Sequence, residues 1–298
     1  MRSRLNIGIL IFSFGLFVVL FLSTRRSADQ VVCPVQVFEE PVYHVPIYLR
    51  DVKEESDKHY IVLQKTLKDD RNLLSKELNN QRRKIGQQDC ENEINKETNA
   101  AGGWCKTSSM EDGGQHMTDL PLARGLSEFL KNKTVGSFGD GPGAYKREIL
   151  KMEQVKLYDA YDGAPFCEET SKGMVKFMDL TVPQYGIPMY DWILSLEVAE
   201  HIPKEYEPVY IDNLVRHSKE GIIMSWAVPG QGGLAHINNR PFSYVANLLK
   251  FHGFRHDNVT SEKLKLKSSF QWLRDNVNVF RRIEANASYI EFLSEWYT

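Results

Sequence analysis

The sequence has no basic excess. In 298 residues, 37 Lys and Arg stand against 39 Asp and Glu, a formal net charge of −2. A general nucleic-acid binder would carry a strong positive balance, so no nucleic-acid partner is expected. Cysteine is scarce. The four residues Cys33, Cys90, Cys105 and Cys167 include no C-x-x-C pair, so the usual zinc spacing is missing and no metal is expected. An oxidising compartment would let them pair. Cys90 and Cys105, which lie close in sequence, are the first candidates, and four free thiols are the alternative. A D-x-D motif is missing too, since Asp159-Ala-Tyr-Asp162 has the wrong spacing. That weighs against a metal-dependent glycosyltransferase. No internal repeat is visible.

What is present begins with an apolar run. Ile7 to Leu22 carries no charge, with Arg2 and Arg4 before it and Arg25 and Arg26 after it. A helix from Leu5 to Thr24 would be long enough for the ~30 Å hydrocarbon core of a bilayer. The run ends in Leu22-Ser23-Thr24-Arg25-Arg26, without a small-x-small cleavage site. An uncleaved signal anchor is therefore expected over a cleaved signal peptide. Two arginines on each side leave the positive-inside rule balanced. Three N-x-S/T tripeptides start at Asn132, Asn258 and Asn286. With the anchor, they favour a single-pass type II protein with a lumenal C-terminal part, in the Golgi or endoplasmic reticulum.

Residues 27–114 read as a stem and linker. Pro34, Pro41 and Pro46 make Val31 to Leu49 extended and irregular. Glu54 to Lys84 is dense in charge and free of glycine and proline, which predicts a helix. Its apolar positions Tyr60, Leu63, Leu67, Leu74, Leu78 and Ile85 follow a three-four spacing in part, interrupted by Arg71 and Gln81. Two readings stand: a short coiled coil that makes a homodimer, or a solvated stalk helix. Gly86 to Gly114 is polar and carries Gly102-Gly103 and Gly113-Gly114, the composition of a linker.

The chain then changes character, and residues 115–298 read as a folded α/β domain. Pro121 to Asn132 predicts an amphipathic helix with Leu122, Leu126, Phe129 and Leu130 on one side. A short strand from Thr134 runs into a loop holding Gly139, Gly141 and Gly143 in G-x-G-x-G order, with a helix over Tyr145 to Glu153. Such glycines turn sharply and admit a ligand to the backbone, and the helix N-terminus offers free N–H groups. Val155 to Tyr161 predicts a second strand ending at Asp162, placed to accept hydrogen bonds from ribose hydroxyls. The loop also satisfies G-x-G-x-x-A through Ala144, so a dinucleotide-binding fold competes at this point.

The elements that follow, taken in order, resemble class I S-adenosylmethionine-dependent methyltransferases, of the methyltransferase type 11-like kind. Phe177-Met-Asp179-Leu180 resembles their third-strand loop, Tyr190 to Pro203 with Glu197-Val-Ala-Glu200-His201 their fourth-strand motif, and Gly221 to Trp226 their fifth strand. Asn276 to Arg282, after Gly253-Phe254, resembles the closing strand, so the likeness spans about residues 118 to 284. It implies a Rossmann-like doubly wound sheet and S-adenosylmethionine as cofactor. Gly139, Gly141 and Gly143 would cradle the methionyl part, Asp162 the ribose, and Asp179 with Leu180 the adenine, with Glu197 also on the cofactor side. One departure stands out: many of these enzymes have an acid two residues before the first loop glycine, where this chain has Ser137.

Beyond the fifth strand, Ala227 to Pro241 is rich in glycine and carries His236, Asn238 and Arg240. Loops at that edge of an open parallel sheet meet ligands. His236 is the candidate base, and His201, Asn238 and Arg240 are placed on the acceptor side. The methyl acceptor itself is not written in the sequence. A Rossmann-like scaffold without catalysis is the alternative, with Ser137 as its support. The lumenal reading predicts that the full chain, recovered from microsomes, loses mass stepwise on treatment with an N-glycosidase. Unchanged mobility would exclude it.

Overall fold

The computed structural model describes residues 47–93, 96–108 and 116–283, with side chains described from residue 55. The chain divides into two units, residues 1–53 and 54–298; of the first, only the opening turns of a long helix are described. The apolar run at 5–24, Cys33 and the Asn286 tripeptide lie outside the described residues. Among the described residues no helix is long and apolar enough to cross a membrane.

The elements run α1 (Ile47–Glu91), α2 (Leu120–Phe129), β1 (Thr134–Phe138), α3 (Ala144–Leu150), β2 (Leu157–Asp162), α4 (Cys167–Thr170), β3 (Lys176–Phe177) and β4 (Tyr190–Ser195), then α5 (Glu207–His217), β5 (Ser218–Met224), α6 (Phe242–Phe251), β6 (Phe254–His256), α7 (Asn258–Lys267), α8 (Gln271–Asn276) and β7 (Asn278–Arg282). The seven strands form one sheet in the order β3-β2-β1-β4-β5-β7-β6. Strands β1 to β5 pair in parallel, and β7 runs antiparallel between β5 and β6. This is the doubly wound sheet expected from the motifs, with strand order reversing between β1 and β4.

Alternation along the strands divides the core into two apolar clusters. Trp192 and Leu194 of β4 join Leu122, Leu126, Val135 and Val279. Ile193, one residue out of phase, joins Phe138, Tyr210, Leu214, Ile222 and Phe280. Successive strand side chains point to opposite faces, so both faces of this sheet are covered, as a parallel sheet with crossover helices requires.

The stem reading needs correction. Helix α1 starts at Ile47, inside the stretch expected to be extended, and continues through Gly86 to Glu91. It is solvated over residues 55–63, but from Ser75 to Gln87 one polar face is bound to the domain. Asn79 Nδ2 donates to the Phe177 carbonyl (2.9 Å) and its Oδ1 accepts from the Asp179 N–H (2.9 Å). Arg82 Nε reaches Asp179 Oδ2 at 2.6 Å, and Ser75 Oγ accepts from the Tyr185 N–H at 2.9 Å. Gly86 is tolerated because space is short: an added Cβ would lie 2.8 Å from Asn99 Nδ2 and 3.2 Å from Pro165 Cβ. The apolar positions Tyr60, Leu63, Leu67, Leu74, Leu78 and Ile85 all stay exposed. The helix docks through its polar face because those side chains can satisfy the backbone of the β3–β4 loop. The stretch read as a linker is closed by a Cys90–Cys105 disulfide, while Cys167 is a buried thiol.

Asp119 caps α2. Fully buried, it accepts from the Leu122 N–H (3.0 Å), from Ser268 Oγ (2.6 Å) and from the N–H groups of Ser269 (2.8 Å) and Phe270 (3.0 Å). These bonds hold its carboxyl below the ordinary range although burial pushes the other way. One carboxylate thus ties the first helix of the α/β domain to the α7–α8 connection. Asp119→Ala strands several buried donors and should cost about 2–4 kcal/mol in chemical denaturation. A loss under about 0.5 kcal/mol would show that the cap is redundant.

Candidate active site

In an open parallel sheet, ligands bind beyond the carboxyl ends of the strands, where strand order reverses. Here that edge opens into a cavity of about 360 Å³. Gly139 and Gly141 line it after β1, Asp162 after β2, Asp179 and Leu180 after β3, Glu197 and His201 after β4, and His236 after β5. Residues 101–104, His116 and Met117 close it from the N-terminal side. The sequence-predicted loops therefore converge on one space.

The loop after β1 needs its glycines for two reasons. Gly139 (φ 97°) and Gly141 (φ 60°) both occupy the left-handed region. Neighbours also crowd them: a Cβ on Gly139 would lie 2.2 Å from Val198 Cγ2, and one on Gly141 2.4 Å from His116 Cε1. Gly143 (φ 87°) sits at the start of α3. Asp162 reaches back to this loop. Its Oδ2 accepts from the Gly141 N–H and its Oδ1 from the Ala164 N–H, both at 2.7 Å. Burial raises its carboxyl pKa.

Ser137 finds a different role from the missing acid. It is buried, and its hydroxyl donates to Asp140 Oδ1 at 2.6 Å. Tyr158 donates to the same oxygen at 2.7 Å. Asp140 is therefore an acid inside the glycine loop, which the sequence reading passed over because it stands after Gly139 rather than before. Burial pushes its carboxyl up to about 6. It braces the loop from below and does not line the cavity.

Asp179 lines the cavity, but its carboxylate is already engaged. Arg82 holds Oδ2, while Oδ1 accepts from the Thr181 N–H (2.8 Å) and hydroxyl (2.6 Å). Its first duty is to dock α1. Two acceptor-side assignments are corrected. Asn238 and Arg240 do not line the cavity. Asn238 Nδ2 (2.9 Å) and Arg240 (2.8 Å) both bind Glu207 Oε2 at the start of α5. Tyr244 donates to the other Glu207 oxygen. A buried carboxylate needs such donors, and these side chains supply them.

The remaining candidates cluster. Glu197 holds a left-handed backbone (φ 53°) that a non-glycine residue adopts only under constraint. Its N–H donates to Ser225 Oγ at 2.8 Å. Glu200 and His201 lie on a tight turn at Ala199–His201. The Glu200 carbonyl accepts from the N–H groups of Ile237 (2.9 Å) and Asn238 (3.0 Å), which fixes His236 beside it. The rings of His201 and His236 are 5.1 Å apart, and Trp104 meets His201 edge-on at 6.0 Å. Burial keeps His236 below its ordinary pKa and lowers His201 to about 4, so both rings are neutral near pH 7. Burial raises Glu197, and raises Glu200 further because the Glu197 carboxylate lies beside it.

No family model matches the sequence, and no curated protein matches it. Solved structures match in shape at low identity. Magnesium protoporphyrin IX methyltransferase from Synechocystis PCC 6803, with S-adenosylhomocysteine bound, covers 56% of this chain and 83% of its own, at 14% identity and a TM-score of 0.41. The N-methyltransferase NodS from Bradyrhizobium japonicum WM9, in complex with the same compound, covers 67% and 100%, at 14% identity and 0.43. A TehB-like S-adenosylmethionine-dependent methyltransferase from Corynebacterium glutamicum covers 54% and 87%, at 17% identity and 0.41.

Asp140 generates a pH test. Its folded pKa of about 6 lies above the ordinary 3.8, so the native state holds the proton more tightly. The stability this contributes is complete below pH ~4 and is lost as pH rises through 6. Wild type should lose about 3 kcal/mol relative to Asp140→Asn across that interval. Parallel stability–pH curves for the two proteins would contradict it.

Proposed function

We propose that the chain transfers a methyl group from S-adenosylmethionine to an acceptor bound in the cavity. The observation that carries this is the convergence, at the switch point between β1 and β4, of a glycine loop with an acid at the end of β2. The methionyl part would lie along Gly139 and Gly141, which line the cavity, while Gly143, which does not, turns the chain into α3. Asp162, held in place by two backbone N–H groups, keeps unused lone pairs for the ribose hydroxyls. Leu180 gives an apolar surface for adenine beside Asp179. Glu197 stands between the cofactor side and the acceptor side, and His201 and His236 would face the methyl group of a bound cofactor.

The reaction is an in-line displacement. An acceptor lone pair attacks the methyl carbon, the carbon–sulfur bond breaks, and the sulfur leaves as a neutral thioether. The leaving group is already good, so alignment supplies much of the rate. The acceptor's proton goes to a base, and neutral His236 is the side chain placed for it. We place the domain on the lumenal side of a membrane anchored through residues 5–24. The exposed apolar stripe of α1 supports a homodimer through that helix. Asn132 and Asn258 are exposed, as glycan acceptors must be.

Calorimetric titration of the purified full chain with S-adenosylhomocysteine should show saturable one-to-one binding. Asp162→Ala should weaken it by more than about tenfold, the loss of two charge-assisted hydrogen bonds. No binding by wild-type protein with native circular dichroism would sink the methyltransferase reading and favour a scaffold.

A further inference from the structure

The strongest unexplained feature is Glu200. It is 0% exposed, and among the described residues neither carboxylate oxygen meets a hydrogen-bond donor of ordinary geometry. A buried carboxylate left this way is costly, and the protein shows elsewhere how it avoids that cost. Glu207, also buried, is met by Asn238, Arg240 and Tyr244. Asp119 collects several donors. Around Glu200, beyond its own backbone N–H and that of Ala227, there are lone pairs instead. His236 Nε2 lies 3.9 Å from its Oε1. One oxygen of Glu197 is likewise buried without a donor. One ligand atom each from Glu200, His201 and His236 lies within 4.8 Å of the others.

We propose that Glu200, His201 and His236 bind a divalent cation at the acceptor end of the cavity, with Glu197 available as a fourth donor. A shared proton can serve the Glu197 and Glu200 pair, but a cation satisfies the carboxylate and both imidazole lone pairs at once. The second layer of contacts fits this. His201 Nδ1 lies 3.3 Å from the Ala235 carbonyl; donating there leaves the lone pair on Nε2, the arrangement seen in most histidine ligands. The Glu200 carbonyl fixes the loop that carries His236, so the ligands are positioned by backbone rather than by flexible side chains. Two imidazoles with one or two carboxylates suit zinc, manganese or iron better than calcium or magnesium. Cysteine spacing gave no hint of this site because it contains no sulfur ligand. A nitrogen that ligates a cation cannot also accept a proton. An occupied site therefore turns His236 from base into ligand, and a coordinated acceptor group loses its proton through the cation's charge instead.

The cation site does not depend on methyl transfer, and the test separates the two. Tag-free full-length protein is stripped with chelator, dialysed against MnCl2 or ZnCl2, and assayed for bound metal by mass spectrometry. One cation per chain is expected, with a rise in melting temperature on loading. Glu200→Gln and His236→Ala should each weaken binding by more than about tenfold. Asp162→Ala should bind metal as wild type does while losing S-adenosylhomocysteine. Metal-free Glu200→Gln should melt no lower than metal-free wild type, because it removes an unpaired buried carboxylate; this guards against a folding defect. Substoichiometric metal on wild type, or equal binding by Glu200→Gln, would overturn the proposal.

Discussion

Everything at the site depends on β1 lying between two parallel partners. Val135 sits opposite Tyr158 of β2 and Trp192 of β4. Parallel strands cannot be joined by hairpins, so each connection must return to the same end of the sheet, through a helix after β1, β2 and β4 and through the loop 178–189 after β3. The loops that leave β1, β2, β3, β4 and β5 are consequently delivered to one edge, and the reversal of order at β1 and β4 parts them there. Gly139, Asp162, Leu180, Glu197 and His236 are far apart in sequence. They meet because the sheet allows their loops only one edge to occupy.

That edge is a compromise between stability and readiness. Below it, polar groups are paired closely: Ser137 and Tyr158 on Asp140, three side chains on Glu207, the α7–α8 connection on Asp119. At the cavity itself the rule is relaxed. Glu197 is held in a left-handed conformation, and among the described residues Glu197 and Glu200 keep oxygens that no donor of ordinary hydrogen-bond geometry reaches. Buried groups without partners lower stability, and the close packing of the two apolar clusters offsets the loss. The unmet polarity of Glu197, Glu200 and His236 falls together at the cavity.

Much of this was legible in the sequence, because local rules and fold agreed. The three glycines, the acid ending β2 and the strands at Tyr190 and Gly221 were each found within a few residues of their places. The first-choice cysteine pair is the one observed. Elsewhere local rules were insufficient. Polar, glycine-containing residues after Lys84 looked like a linker because nothing nearby indicated what they would touch. Gly102 and Gly103 are needed for close approach to His201 and Gly163, contacts made across long sequence separations. Asn238 and Arg240 looked ligand-directed beside a glycine-rich loop, yet their real partner, Glu207, stands on another helix. Ser137 looked like a loss until Asp140 was seen beneath it. Charge in the α1 sequence signalled solvent, whereas Asn79 and Arg82 use their polarity to hold the β3–β4 loop.

The Cys90–Cys105 bond joins positions at a sequence separation of 15 and closes the loop that carries Gly102, Gly103 and Trp104 to the cavity wall. The covalent link limits how far that wall can wander when the cavity is empty, so a ligand need not supply the ordering itself. Opening the bond would leave the sheet and its strand-end loops intact while freeing one side of the enclosure. Affinity would then follow the thiol–disulfide balance of the surroundings, and the same polypeptide would grip its ligand in an oxidising compartment more firmly than in a reducing one.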